Sequence, residues 1–241
     1  MSRPRLRQLG TVLAVAAGIV VLAIALSSSS GSSSSAPAKK LAGGSGAVPH
    51  AAQSAALLAN IPQSGITLGG PHAPVTLVEF ADLQCPFCRE YTANVLPTLI
   101  QKYVRTGKLE MQFRNLSFIG PDSQTAGHWA AAAGAQDKLW QFLDLWYANQ
   151  QTENSGYVTD SYLRRIAGGV GGLNVAIAAA ASAAPAAQAQ LTAADQLAAH
   201  AGISSTPSFL LGRSGGRLST LNYSDLTPAA FTPAIDALTH G

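Results

Sequence analysis

The sequence predicts an α/β domain in which a block of helices is inserted between the core strands. A nearly continuous apolar run at 75–80 is typical of a central strand that is buried on both faces. Residues 109–118 alternate between apolar and polar side chains and predict a second core strand, and residues 207–211 predict a third. The intervening residues 120–200 carry helical patterns. The expected order is therefore strand, turn, helix, strand, helical block, strand and helix.

The expected domain begins near residue 65, with a short edge strand at 66–68. The helix that starts at Cys85 repeats apolar residues every three or four positions, which is typical of a helix packed on a core. Pro97 interrupts this helix, and a proline removes a backbone donor and clashes with the preceding turn. A kink is therefore predicted at 93–97.

The helical block is expected to begin just after Gly120, where Pro121, Asp122 and Ser123 form a typical helix start. Either Asp122 or Ser123 is predicted to cap this helix, because short polar side chains accept hydrogen bonds from the first free backbone N–H groups. The helical pattern continues to about residue 148. Further helices, an edge strand and a terminal helix are predicted at 160–167, 174–183, 186–200, 217–218 and 228–239.

The first 26 residues are predicted to form a signal peptide or a signal-anchor helix. Three arginines within the first seven residues precede an apolar run at 9–26, and a charged region followed by a hydrophobic one indicates export. Residues 23–25 offer a cleavage site, whereas the length of the run also suits a membrane-spanning helix with the arginines on the cytoplasmic side. Both alternatives place the rest of the chain outside the cytoplasm, in the periplasm or on the outer face of the membrane. A single transmembrane anchor is the preferred expectation.

Residues 27–64 are rich in Ser, Gly and Ala and are predicted to be a flexible linker, in which 47–63 could form a loose helix. Five of the 15 basic residues precede residue 48, whereas all 12 acidic residues follow it. The expected folded part is therefore slightly acidic despite the net charge of +3. It lacks a basic patch interleaved with aromatic residues, so a nucleic acid is not an expected partner.

The only two cysteines of the chain, Cys85 and Cys88, enclose Pro86 and Phe87 at the start of a predicted helix. Thiols at this spacing lie on one helical face and can form a small-ring disulfide. The free N–H groups of a helix N-terminus favour the thiolate at the first sulfur, and the thiolate is the form that attacks disulfides. The motif therefore predicts a redox centre. A structural disulfide and a zinc site are the alternatives, but no second C-x-x-C or histidine pair completes a metal ligand set, and no cofactor is expected.

Four segments of the chain share their order and approximate spacing with one bacterial family: 78–88, 95–100, 120–142 and 202–209. The sequence resembles the DsbA-like, thioredoxin-fold disulfide oxidoreductases. The resemblance covers 65–241 and implies a thioredoxin-like α/β fold with a helical insertion domain at about 120–200, preceded by the N-terminal signal or anchor helix. It also implies thiol–disulfide oxidoreductase activity.

The resemblance implies a role for each residue near the motif. Cys85 would be the exposed nucleophile and Cys88 the buried resolving thiol of a redox-active disulfide. Pro207 would be the cis-proline that faces this disulfide, and Thr206 would offer backbone pairing to an extended substrate. Glu79 stands where related proteins carry a buried acidic residue that exchanges a proton with Cys88.

The sequence around Glu79 also predicts that this side chain is buried, independently of the family resemblance. Glu79 lies in a nearly continuous apolar strand, which favours a buried carboxyl with a raised pKa over one that faces solvent. Asp82 is expected to be a loop or capping residue without a catalytic role. The aromatic residues of the helical block are expected to form its core, with a substrate groove as the alternative: Trp129, Trp140, Trp146 and Tyr147.

Pro86 and Phe87 are expected to contact substrate, and this dipeptide departs from the family's strongly oxidising enterobacterial members. Those members carry Pro-His, and a histidine can stabilise the thiolate of Cys85 whereas Phe87 cannot. Thr206 also resembles the residue that precedes the cis-proline in the isomerase branch. The direction of electron flow is therefore open at this point, although the reaction type is not.

The leading functional hypothesis is an extracytoplasmic oxidoreductase that forms disulfides in reduced or misoxidised exported proteins through the Cys85–Cys88 pair. The family resemblance implies re-oxidation by a membrane quinone-linked partner, and a monomer is expected. Two alternatives remain open: a disulfide reductase or isomerase of the envelope, and a tethered chaperone-like binding protein that uses the helical insertion.

Overall fold

The computed structural model describes residues 46–239. The predicted signal or anchor helix at 1–26 and the first half of the predicted linker, residues 27–45, lie outside the described residues. Among the helices that are described, none is both long and apolar enough to cross a membrane.

Within residues 46–239, six strands form one mixed sheet in the order β1-β2-β4-β3-β5-β6. The strands are β1 (Gln63–Ser64), β2 (Thr67–Leu68), β3 (Val75–Ala81), β4 (Leu109–Asn115), β5 (Ser208–Arg213) and β6 (Ser219–Thr220). The central strand β3 pairs in parallel with β4 and antiparallel with β5. Every residue of β3 is buried, whereas β4 alternates between buried and half-buried residues. The predicted α/β class and the three predicted core strands are confirmed.

Of the α-helices within residues 46–239, five lie between β4 and β5 in the chain. The α-helices are α1 (Ala51–Leu58), α2 (Pro86–Asn94), α3 (Leu96–Leu99), α4 (Pro121–Gly134), α5 (Leu139–Ala148), α6 (Asp160–Gly168), α7 (Val175–Ser182), α8 (Pro185–Ala201) and α9 (Pro228–Thr239). A π-helical turn, Ile100–Val104, follows α3. Helix α5 packs against both α1 and α2, and α8 packs against β4. Through α5, the inserted block therefore contacts the helix that carries the cysteine motif.

The predicted kink is confirmed. Helix α2 ends at Asn94, and α3 begins one residue before Pro97. Proline lacks the N–H that would continue the hydrogen-bond ladder of α2, and its ring clashes with the carbonyl one turn earlier. The break therefore falls where the sequence predicts it.

Two predictions about the helical block are wrong. Gly120 occupies the N-cap position of α4 without a side-chain hydrogen bond, so neither Asp122 nor Ser123 caps the helix. Pro121 takes the first helical position, where its missing N–H costs no hydrogen bond. The block up to residue 148 is also not one helix, because the chain turns through Asp137 in a left-handed conformation (φ 55°) before α5 begins.

The folded part of the chain begins before residue 65, which corrects the predicted extent of the flexible linker. Helix α1 packs against α5, and its Leu58 is buried in the main core. The guanidinium of Arg105 donates to the carbonyl oxygens of Leu57 (2.7 Å) and Ala59 (3.0 Å). These carbonyls have no partner within the helix, so Arg105 satisfies the end of α1 and fixes it to the domain.

Candidate active site

The two cysteines lie where β3 leads into α2. Cys85 is the N-cap residue of α2, with extended backbone angles, and Pro86 takes the first helical position. Cys88 lies in the first turn and is fully buried, whereas Cys85 retains 4% exposure. Neither cysteine forms a disulfide in this structure. The predicted strand–turn–helix geometry is therefore present, but the expectation of an exposed Cys85 is wrong: both thiols are buried, and Cys85 is only slightly more accessible than Cys88.

The two thiols differ in acidity. A hydrogen bond from the Cys88 thiol lowers the pKa of Cys85 to about 6, against the effect of burial, and backbone N–H groups at the helix start act in the same direction. Burial raises the pKa of Cys88 well above its usual value, and the neighbouring Cys85 sulfur raises it further. One thiol of the pair therefore ionises below neutral pH while the other stays protonated.

The loop before β5 lies against Cys85. The Thr206–Pro207 peptide bond is cis, and the Cys85 thiol contacts the carbonyl oxygen of Thr206 at 3.4 Å. The hydroxyl of Tyr223 donates to the carbonyl of Pro207 at 2.7 Å and holds this loop from the other side. The structure thus brings together residues that are more than 100 positions apart in the chain.

Glu79 is buried in the central strand, so the solvent-facing alternative is wrong. It pairs across the sheet with Phe113 on one side and Phe209 on the other. Burial raises the pKa of Glu79 to about 8. Its charge also contributes to the raised pKa of Cys88, after burial and the neighbouring Cys85. A carboxyl that titrates near neutral pH therefore lies close enough to Cys88 to influence its protonation.

The outer side of the motif is open to solvent. Phe87 is 59% exposed, Pro86 is exposed and Thr206 is half-buried. Phe118, from the loop that precedes α4, is 55% exposed. Phe87 and Phe118 are two of the three large hydrophobic side chains that are exposed within the described part of the chain.

Asp82 has a structural role that residue type alone did not reveal. Its carboxylate is completely buried and accepts hydrogen bonds from the backbone N–H groups of Gln84 (2.8 Å), Phe118 (2.9 Å) and Ile119 (3.0 Å). The prediction of a loop residue is correct in outline. The structure adds that this carboxylate joins the segment before Cys85 to the loop that carries Phe118.

Helix α5 and the segment after it hold the same turn through its carbonyl oxygens. The indole N–H of Trp146 donates to the carbonyl of Leu83 at 2.7 Å. The Gln150 amide donates to the carbonyls of Leu83 (2.8 Å) and Cys85 (3.2 Å), and the Tyr147 hydroxyl donates to the Asp82 carbonyl (3.1 Å). The tryptophans at 129, 140 and 146 and Tyr147 are buried, so the expectation of a core is correct and the groove alternative is wrong.

A further polar contact reaches the start of α4. The Gln84 side chain donates to the Ser123 hydroxyl (3.1 Å) and accepts from the Asn154 backbone N–H (2.7 Å). Sequence reasoning missed Gln84, Gln150 and Asn154. Gln150 and Asn154 lie outside any motif, and Gln84 lies within segment 78–88 without an implied role. Only the tertiary structure shows that all three lie beside the turn.

The central strand of the mixed sheet leads into two thiols, one with a lowered pKa and one that is buried, and a loop with a cis-proline lies beside them. This is the arrangement of a thioredoxin-fold dithiol site. Within 46–239, no group of three or more His, Cys, Asp or Glu residues is placed to hold a metal ion. A family model described as "Thioredoxin" matches residues 62–236, and the chain belongs to this family.

Sequence relatives carry names that agree with the site. The chain is 39% identical over 102 residues to the probable disulfide bond formation protein D of Bacillus cereus, an alignment that covers 42% of this chain and 47% of the relative. It is 28% identical over 102 residues to disulfide bond formation protein D of Bacillus subtilis, covering 42% and 46%. The match spans about half the length of these curated relatives.

Solved structures show the same fold over most of the chain. Oxidised BdbD from Bacillus subtilis superposes with a TM-score of 0.65 at 20% identity, covering 75% of this chain and 98% of that one. Wolbachia pipientis alpha-DsbA1 superposes with a TM-score of 0.63 at 23% identity, covering 76% and 92%. The resemblance to DsbA-like proteins that the sequence predicts is confirmed.

Proposed function

We propose that the protein is an extracytoplasmic thiol:disulfide oxidoreductase that forms disulfide bonds in reduced or misoxidised exported proteins. The observation that carries this proposal is the unlike pair of thiols at the start of α2: the pKa of Cys85 is lowered to about 6, whereas that of Cys88 is raised. The names of the sequence relatives support the same activity. In this proposal Cys85, Cys88, Glu79 and Pro207 form the catalytic site.

The first step opens the Cys85–Cys88 disulfide. A substrate thiolate attacks the Cys85 sulfur, the more accessible of the two, and forms a substrate–Cys85 disulfide while the Cys85–Cys88 bond breaks. Cys88 leaves as a thiolate that burial strongly disfavours, so it must receive a proton. Glu79, whose pKa of about 8 keeps its carboxyl mostly protonated at pH 7, is the donor.

The second step releases the oxidised product. A second substrate thiolate attacks the substrate sulfur of the mixed disulfide, and Cys85 leaves as a thiolate. A thiol with a lowered pKa is a good leaving group, so the low pKa of Cys85 favours release of an oxidised substrate. In total, two electrons pass from two substrate thiols to the Cys85–Cys88 pair.

The stabilised thiolate also makes the protein a stronger oxidant. At pH 7, a pKa near 6 instead of an ordinary value favours the reduced pair by roughly 1.4 kcal/mol, or about 30 mV for a two-electron couple. This shift supports a potential between those of thioredoxin, about −270 mV, and DsbA, about −120 mV. The backbone N–H of Phe87 helps to stabilise the thiolate, but its side chain cannot donate a hydrogen bond as a histidine would, so the upper end of this range is not expected.

The solvent-exposed side of the motif is the proposed substrate-binding surface. Pro86 and Phe87 are exposed beside Cys85, and Thr206 contacts the Cys85 thiol through its carbonyl. An extended polypeptide that lies along Thr206 therefore reaches the reactive sulfur. The predicted N-terminal anchor would hold the domain on the outer face of the membrane, where a quinone-linked membrane partner re-oxidises it and where it acts as a monomer.

Oxidative refolding of reduced ribonuclease A by the oxidised full chain tests the proposal. We expect ribonuclease activity to return faster than in air alone, and Cys85→Ser to abolish the acceleration. Equal acceleration by Cys85→Ser would instead support a chaperone-like binding protein. Equilibration in glutathione redox buffers gives the potential of the pair, and a value near −270 mV would contradict the oxidase direction.

A further inference from the structure

Tyr91 has a buried hydroxyl that the fold leaves without a hydrogen bond. The residue is fully buried in α2, and its hydroxyl oxygen finds no partner among the residues that the structure describes. Its ring packs against Phe209 at 4.7 Å and Phe231 at 5.5 Å between centroids. Leaving a buried polar group unpaired is unfavourable, so this hydroxyl requires an explanation.

The position of Tyr91 relates it to the proton-transfer pair. Tyr91 follows Cys88 by three residues, so the two side chains lie on the same face of α2. Phe209, against which its ring packs, is the direct cross-strand neighbour of Glu79. Burial raises the pKa of Tyr91, and the charge of Glu79 raises it further. The hydroxyl therefore lies in the same apolar region as the Glu79 carboxyl.

Several other polar groups of the redox site already have partners. The Tyr147 hydroxyl donates to the Asp82 carbonyl, and the Tyr223 hydroxyl donates to the Pro207 carbonyl. The Asp82 carboxylate accepts three backbone N–H groups, and the two thiols interact with each other. Among these groups, the Tyr91 hydroxyl is the donor that remains available when Glu79 becomes charged.

We propose that Tyr91 is a positioning residue for proton transfer between Glu79 and Cys88, and that its hydroxyl donates a hydrogen bond to the ionised Glu79 carboxylate. The inference rests on the proposed function and adds a residue to it. During re-oxidation, Cys88 gives its proton to the Glu79 carboxylate and its sulfur attacks Cys85 in a mixed disulfide. The bond between Cys85 and the re-oxidant breaks, the re-oxidant sulfur leaves as a thiolate, and two electrons pass to it. Tyr91 stabilises the carboxylate that accepts this proton.

Tyr91→Phe tests this proposal, because phenylalanine keeps the ring packing and removes only the hydroxyl. The measurement is the pKa of Glu79 in the reduced full chain, followed by NMR with carbon-13 in the glutamate carboxyl groups. Glu79→Gln assigns the signal. A hydrogen bond to the charged form lowers a carboxyl pKa, so we expect the variant to titrate about one pH unit higher than the unmodified protein.

Tyr103→Phe is the matched control. Tyr103 is also buried, but its hydroxyl donates to Asp236 in α9 and not to the redox site. We expect it to lower stability and leave the Glu79 titration unchanged. An unchanged Glu79 titration in Tyr91→Phe, or the same change in both variants, overturns the proposal.

A kinetic measurement connects the titration to the reaction. The Cys85–glutathione mixed disulfide is prepared, and the release of glutathione by Cys88 is followed from pH 5 to pH 10. The midpoint is expected to move up by about one pH unit in Tyr91→Phe, whereas Glu79→Gln and the double variant should share the same pH profile, because Tyr91 then has no carboxylate to stabilise. A difference between Glu79→Gln and the double variant contradicts action through Glu79. The two proposals can fail separately. If the protein does not accelerate ribonuclease refolding but the pKa of Glu79 rises as expected in Tyr91→Phe, the proposed function is wrong and the hydrogen bond from Tyr91 to Glu79 is still supported.

Discussion

The inner and outer sides of the redox turn, residues 82–88, are built in opposite ways. On the inner side, buried side chains hold the turn through its carbonyl oxygens and through the Asp82 carboxylate. On the outer side, Pro86 and Phe87 are exposed and make no comparable contacts. The difference indicates that the inserted helices fix the position of the two sulfurs, while the solvent side stays free for another polypeptide.

Replacement of Asp82 should give the largest effect, because three backbone N–H groups depend on its carboxylate. In Asp82→Ala these groups stay buried without an acceptor, and we expect a loss of about 3 kcal/mol or more in the free energy of unfolding. Urea denaturation monitored by tryptophan fluorescence measures this loss. Asp82→Asn keeps one acceptor oxygen, so its free energy of unfolding should lie between those of Asp82→Ala and the unmodified protein. A loss below 1 kcal/mol in Asp82→Ala would show that the inner side is not held as described.

Glu79→Gln should increase stability at neutral pH. The pKa of Glu79 is raised to about 8 in the folded chain, so the folded state binds more protons than the unfolded state between about pH 4.5 and pH 8. The contribution of Glu79 to stability is therefore fully present below its pKa in the unfolded state, and it is lost as the pH rises towards 8. At pH 7 we expect the reduced variant to be roughly 3 kcal/mol more stable than the unmodified protein.

The pH dependence provides the control for Glu79→Gln. At pH 4 the carboxyl is protonated in both states, so the two proteins should unfold at nearly the same urea concentration. A constant difference from pH 4 to pH 8 would mean that the gain arises from packing and not from ionisation.

Gln150→Leu should have an intermediate effect. The variant keeps most of the side-chain volume but removes the donor to the carbonyls of Leu83 and Cys85. We expect a loss of about 1 to 2 kcal/mol in the free energy of unfolding and slower oxidation of substrate. Gln196→Leu, on the exposed side of α8, is the matched control and should change stability by less than about 0.5 kcal/mol. Equal losses of stability in both variants would show that the hydrogen bonds of Gln150 do not hold the inner side of the turn.

Phe87→Ala should change stability least. The side chain is 59% exposed, so we expect a change within about 0.5 kcal/mol. The kcat/KM for a reduced protein substrate should nevertheless fall several-fold, because apolar contact beside Cys85 is lost. Oxidation of a small dithiol such as dithiothreitol serves as the control and should be little affected. A large loss of stability would show that Phe87 belongs to the core and not to the outer side.

The local parts of the fold follow from the sequence because they depend on neighbouring residues. The apolar run at 75–80 is typical of a buried strand, Pro97 interrupts its own helix, and Cys85 at a helix start gains free N–H groups. Glu79 could be predicted as buried because its neighbours in the strand are apolar. The cysteine motif and its resemblance to a known family then determined the expected chemistry.

Only the tertiary structure decided the contacts between distant segments. Thr206 reaches Cys85 across 121 positions and Gln150 reaches Leu83 across 67, and no local pattern encodes either contact. The capping prediction for α4 failed because Ser123 is used elsewhere, as the acceptor for Gln84. The linker prediction failed at α1 because composition does not show that Arg105 and α5 cover this helix. Hydrogen bonds and burial depend on the final position of both partners, so the sequence determined the two reactive thiols, and the fold determined what surrounds them.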